Sequence, residues 1–102
     1  MKKIDLEQKY LDKISQILRI FLPNEHDYFY IFGSRAKGLA KKYSDIDIAI
    51  NSSGEKLNDL IKIKIKTAFE ESTIPYTIDV IDLNDITEEF KKCIENDLIK
   101  IE

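Results

Sequence analysis

The chain has one cysteine, Cys93, one histidine, His26, and no excess of positive charge. Sixteen Lys and Arg stand against 19 Asp and Glu, a formal net charge of −3 over 102 residues. A single cysteine excludes an internal disulfide and fits a reducing compartment. The acidic balance argues against general nucleic-acid binding, which usually goes with a basic surface. No apolar run approaches the length of a membrane span, and Met-Lys-Lys-Ile-Asp-Leu-Glu lacks the apolar core of a signal peptide. We therefore expect a cytoplasmic protein with no membrane contact. Two familiar ligand loops are also missing. Gly33 and Gly38 have the glycine spacing of a Walker A motif, but Leu39-Ala40 stand where Lys-Ser/Thr is required. Asp45 and Asp47 do not open an EF-hand, because Ala49 and Ile50 replace its third ligand and turn glycine.

What is present reads as one domain, residues 1–102, with a modest core. Tyr10, Leu11, Ile14, Ile17, Leu18, Phe21 and Leu22 recur at helical spacing, which predicts a helix from Asp5 to about Leu22. Asp5 and Gln8 resemble a capping box, and Pro23-Asn24 ends the element. His26 falls in the polar turn that follows, as a solvated histidine rather than a general base. Tyr28 to Phe32 is apolar on both faces, the pattern of a central strand. Asp45 to Ile50 alternates and reads as the next strand. Asn51 to Gly54 is a loop, and a helix from about Glu55 to Glu71 carries Leu57, Ile61, Ile65, Ala68 and Phe69 on one stripe. That helix supplies the crossover for a parallel strand, Thr77 to Ile81. Asp85 and Glu88 suggest another capping box, opening a helix that buries Ile86, Phe90, Cys93 and Ile94 and ends near Asn96. Cys93 is read as a small core residue rather than a nucleophile. Leu98 to Ile101 is a short edge strand. The order implies an α/β domain with a mixed, mostly antiparallel sheet and helices packed to one side.

The chemistry concentrates in residues 33–47. Gly33 accepts a positive φ or lets a phosphate approach the backbone, and Ser34 opens a short helical turn to about Leu39 whose free N–H groups face an anion. Ser34 read only as an N-cap is compatible with the same geometry. Arg35 and Lys37 flank the turn as candidates for polyphosphate contact, whereas Lys41 and Lys42 are either phosphate contacts or solvated surface. Asp45 and Asp47, at i and i+2 of a strand, share one face with Cα atoms about 6.5–7 Å apart. Ile46, Ile48 and Ile50 then point into the core. Paired carboxylates need a proton or cation between them, and beside a phosphate-binding turn the cation expected is Mg²⁺. Asp79, on an outward position of its strand, joins the same face if the registers agree; Asp82 is the alternative.

Gly33-Ser34, ten residues, then Asp45-Ile46-Asp47 resembles the signature of the nucleotidyltransferase superfamily typified by DNA polymerase β. More narrowly, the chain is similar to the minimal nucleotidyltransferases that form the antitoxin half of MNT–HEPN toxin–antitoxin pairs. The resemblance covers nearly the whole chain. It implies a polymerase β-like fold, Mg²⁺ as cofactor and ATP as substrate. It further implies AMP transfer to a tyrosine of a HEPN-type RNase toxin, which blocks the toxin's RNA site. Asp45, Asp47 and Asp79 would be the catalytic, metal-binding carboxylates, the last by the resemblance alone. Gly33, Ser34, Arg35 and Lys37 would bind the nucleoside triphosphate. A non-catalytic antitoxin acting by binding, and a small nucleotide-binding regulator, are the alternatives. The shortness of the chain implies that the acceptor is a separate, preassembled protein.

Overall fold

The structure is a computed structural model that describes residues 3–101. Its first helix, α1, spans Gln8–Phe21 and buries Leu11, Ile14 and Leu18, the centre of the expected stripe. The helix starts later than the pattern suggests, because Asp5 is drawn elsewhere: its N–H donates to Arg35 O at 2.7 Å. The anticipated capping box is absent. Glu7 occupies the N-cap without a side-chain bond, and Gln8 donates to Asp12 Oδ1 instead. At the other end Arg19 donates to the carbonyls of Leu22, Asn24 and Asp27, supplying cation and donors where a helix leaves unpaired carbonyl groups.

Strand β1 (Asp27–Phe32) lies inside the sheet, antiparallel to β2 (Ile46–Ser52) on one side and to β4 (Ile99–Lys100) on the other. Strand β3 (Ile78–Asp82) runs parallel to β2, giving the order β3-β2-β1-β4. Between Phe32 and the loop before β2, the short helix α2 covers Ser34–Lys37. The parallel crossover is helix α3 (Asp59–Glu70), whose N-cap Asn58 accepts from the N–H groups of Leu60 and Ile61. It begins after the expected Glu55, since Ser52 and Glu55 form a bridge around Ser53 and Gly54, both at positive φ. Ile65 and Phe69 are buried while Leu60 and Ile63 face solvent, as the helical period of the stripe requires. Helix α4 covers Glu88–Ile94 and is capped by Thr87, which accepts from Phe90 N, rather than by the Asp85–Glu88 box. Its expected stripe is largely corrected: Ile94 is buried, but Phe90 and Cys93 are exposed. A helix of seven residues touches the sheet only at its last turn.

Two apolar layers result. Phe29, Ile31, Ile46, Ile48, Ile50 and Val80 meet α1 and α3 on one face of the sheet. Phe32, Ala49, Leu83 and Ile94 cluster on the other. One-sided packing therefore describes α1 and α3, while α4 covers part of the opposite face. Burying each β2 isoleucine contributes about 1.5–3 kcal/mol. A slip of one residue would expose all three and bury the aspartates, so the register is strongly specified.

Arg35 fastens the approach to the sheet. Only 5% exposed, it donates from Nε and Nη2 to Ser44 O at 3.2 and 2.9 Å, and from Nη1 to Asp5 O at 2.8 Å. Its guanidinium lies 4.5 Å from the centre of the Tyr76 ring. One side chain thus joins α2, the segment before Asp45 and the segment leading into β3. Arg35→Ala is expected to destabilise the fold by ~1–3 kcal/mol for each carbonyl left without its donor. Urea denaturation measures this; an unchanged midpoint would contradict the clamp.

Candidate active site

Phe32, the last residue of β1, is the register partner of Asp47. The chain then turns through Gly33, with φ 71° and ψ −152°, a conformation that side chains other than hydrogen disfavour. A Cβ built on Gly33 would overlap Asp47 Oδ2. The glycine is thus required twice: by its backbone angle and by the carboxylate packed against it. Across the parallel ladder Asp47 is partnered by Asp79, on strands about 4.8 Å apart. Asp45 stands one residue before β2 and two before Asp47, towards the same face.

Asp47 is half-buried, while Asp45 and Asp79 are exposed. Its carboxyl is held above the ordinary carboxylate range, first by burial and then by the negative charges of Asp79 and Asp45. Phe32 beside it and Ala49 two residues along supply the apolar surroundings. Among the described residues none of the three aspartate side chains has a hydrogen bond or ion pair. The site is therefore a patch of uncompensated negative charge bordering a glycine opening.

The structure separates the other candidates. Ser34 is the first residue of α2, with Gly33 as the N-cap, so it adjoins the carboxylates along the chain. Lys37, half-exposed, pairs with Asp97 at 3.3 Å and ties α2 to the turn after α4. Arg35 is a correction. Its guanidinium is buried, donating to the carbonyls of Ser44 and Asp5 and lying over the Tyr76 ring. Asp82 is likewise placed elsewhere: 2% exposed, it accepts from Leu57 N at 2.6 Å and Asn84 N at 2.9 Å. Its side chain alternates with Asp79 and serves the fold. His26 is exposed in the turn before β1, beside Glu25, and Lys41 and Lys42 are exposed. Sequence reasoning missed Phe32 as the apolar wall of Asp47 and Tyr76 as the platform under Arg35. An aromatic at the end of each approach was visible, but not its partner.

Among the described residues no three His, Cys, Asp or Glu side chains are gathered closely enough to cage a metal by themselves. The donor set nevertheless fits a hard cation. It is all carboxylate oxygen, it lacks an internal counter-charge, and the missing Cβ of Gly33 makes room for Asp47 Oδ2 itself. Mg²⁺ commonly takes one or two carboxylates and completes its shell with substrate phosphates and water.

Residues 8–101 match the family described as Polymerase beta, Nucleotidyltransferase, and the chain belongs to it. Among individual proteins, it is 38% identical over 101 residues to a Haemophilus influenzae protein named Probable protein adenylyltransferase MntA, covering 98% of this chain and 85% of that protein. A crystal structure of a toxin–antitoxin with AMP-PNP superposes with a TM-score of 0.74 at 22% identity, over 90% of this chain and 72% of that one. A structure of tri-AMPylated Shewanella oneidensis HEPN toxin in complex with MNT antitoxin gives 0.71 at 19% identity, over 95% and 72%. These two show the shared fold. No helix of the described residues is long and apolar enough to cross a membrane.

Two substitutions of the same kind are expected to act in opposite directions. Ionised Asp47 destabilises the fold, because its folded-state pKa lies above the unfolded value and the native state binds its proton more tightly. That penalty is absent in acid and develops as pH rises from the ordinary value of 3.8 through the raised one. Asp47→Asn should thus raise the denaturation midpoint at neutral pH, with the gain vanishing in acid. Asp82→Asn should lower it by ~1–3 kcal/mol, since one buried N–H loses its acceptor. Denaturation curves at both pH values compare them. Gly33→Val should weaken ATP binding at least about tenfold, equivalent to ~1.4 kcal/mol, as read by calorimetry. Unchanged affinity in the folded variant would place the phosphates elsewhere.

Proposed function

We propose that the protein is a Mg²⁺-dependent adenylyltransferase that moves AMP from ATP to a tyrosine of a HEPN-type RNase toxin, neutralising it. The observation that carries this reading is the pairing of Asp47 with Asp79 across one ladder, with Gly33 packed on Asp47. The similarity to a named protein adenylyltransferase supports the same chemistry.

In this reading the triphosphate lies over Gly33 and the start of α2, where Ser34 and unpaired backbone N–H groups meet its oxygens. Lys37 exchanges Asp97 for phosphate. Asp45, Asp47 and Asp79 would hold Mg²⁺, which supplies charge neutralisation and alignment when bound. Asp79, exposed at the side, receives the proton of the attacking hydroxyl directly or through water. The acceptor oxygen bonds to the α-phosphorus, the α–β phosphoanhydride bond breaks and pyrophosphate leaves. Each transfer adds a negative charge to the acceptor, which opposes entry of an anionic RNA.

Intact-mass spectrometry of the protein mixed with a HEPN-type toxin, ATP and Mg²⁺ provides the test. The partner should gain the mass of one or more AMP groups, with the tyrosine located by fragmentation. The Asp45→Asn, Asp47→Asn double variant should fold and transfer none. Full inhibition of the toxin with no mass change on either chain would establish inhibition by binding alone.

A further inference from the structure

The outer edge of β3 is open. In its ladder with β2, Ile46 N–H donates to Thr77 O and Leu83 N–H to Ile50 O, both at 2.9 Å. A parallel strand bonds alternate residues to a given neighbour, so Thr77, Asp79, Ile81 and Leu83 serve β2. The N–H and C=O groups of Ile78 and Val80 then point away from it, to a side where no further strand stands among the described residues. Ile78, Asp79, Val80 and Ile81 all line one cavity of about 840 Å³, whose other wall includes Lys66 and Phe69 of α3. Consecutive residues of alternating face can share a cavity only where it runs along the edge of their strand.

The two edges of the sheet are treated differently. β4 offers two residues, one of them Lys100, and short, charged edge strands resist pairing. β3 offers five, Ile-Asp-Val-Ile-Asp, with neither lysine nor proline. This unguarded edge is continuous with the carboxylates, because Asp79 lines the cavity and is also the ladder partner of Asp47.

We propose that this edge receives the acceptor as an extended peptide segment, a fifth strand beside β3 with its reacting hydroxyl on the face of Asp79. The inference rests on the transfer reading above and specifies how the acceptor is held. An added strand lies about 4.8 Å from β3, so a side chain opposite or diagonal to Asp79 stands next to the carboxylates. The chemistry selects a peptide. Alternating backbone donors and acceptors are met by another peptide backbone, whereas a nucleic acid lacks them and would add its own phosphates to a site already holding three carboxylates and a triphosphate. The same repulsion selects a segment without acidic residues at the hydroxyl.

Residue-resolved amide hydrogen exchange, on the protein alone and with a HEPN-type toxin, tests the proposal. In the complex the amides of Ile78 and Val80 should slow by about tenfold each, one added hydrogen bond. Those of Asp79 and Ile81, already bonded to β2, should change little. Ile78→Pro removes one outward N–H at the first residue of the strand, a position that tolerates proline, and should weaken partner binding about tenfold. AMP transfer with Ile78 and Val80 exchanging freely would overturn the docking mode and leave the transfer reading standing. Alternating protection without AMP transfer would uphold the docking mode and overturn the transfer reading. Protection in the isolated protein that grows with concentration would assign the edge to a second copy of the chain and overturn the proposal.

Discussion

Ile46, Ile48 and Ile50 are fully buried between the sheet and its two long helices, and that burial decides where the carboxylates stand. Strand geometry couples the two faces: once alternate residues are committed to the core, Asp45 and Asp47 have no other direction available. The same register brings Phe32 and Asp79 to either side of Asp47. A site that contains mutually repelling charges is thus held by apolar contacts on the other side of one strand. The repulsion is small beside the burial that opposes it, since three isoleucines contribute several kcal/mol together.

The legible parts of the sequence were those where cause and effect lie within one element. Alternation in Asp45 to Ile50 announced both the core and the outward carboxylates, and Gly33 after an apolar strand announced a turn that only glycine makes easily. Arg35, Asp82 and Cys93 stand in surroundings that their own elements do not announce, for a common reason. Arg35 beside a phosphate-friendly turn has the local appearance of an anion ligand, but its partners are Asp5, Ser44 and Tyr76. Asp82 near a strand end looks available until Leu57 is brought to it across α3. Cys93 sits on a helical stripe that has too little sheet beneath it. Asp79 stood between the two cases, since its outward position was readable but its neighbour on β2 was not.

Arg35 also shows why a cation so near the carboxylates leaves them uncompensated. Its charge is turned towards main-chain carbonyls and an aromatic face, which bind guanidinium without neutralising it. Its three contacts tie α2, just after Gly33, to Asp5 ahead of α1, to the chain just before Asp45 and to the segment just before β3. A single buried cation therefore organises the segments that carry the acids while remaining apart from them. Had it paired with Asp47, the fold would gain an ion pair and the three carboxylates would no longer be without a counter-charge.

The second face of the sheet completes this division. Half of it is closed by Phe32, Ala49, Leu83 and Ile94 under α4, and the other half carries the aspartates. The boundary between them runs through Asp47, which is why burial is the larger cause of its raised pKa and its neighbours' charges the smaller. Moving Asp47 further under the apolar cover would favour its protonated form. Moving it fully into water would screen the repulsion from Asp79 and Asp45 and favour its charged form. A half-buried carboxylate at the rim retains some of both properties. The rim position follows from where a seven-residue helix stops covering a four-stranded sheet.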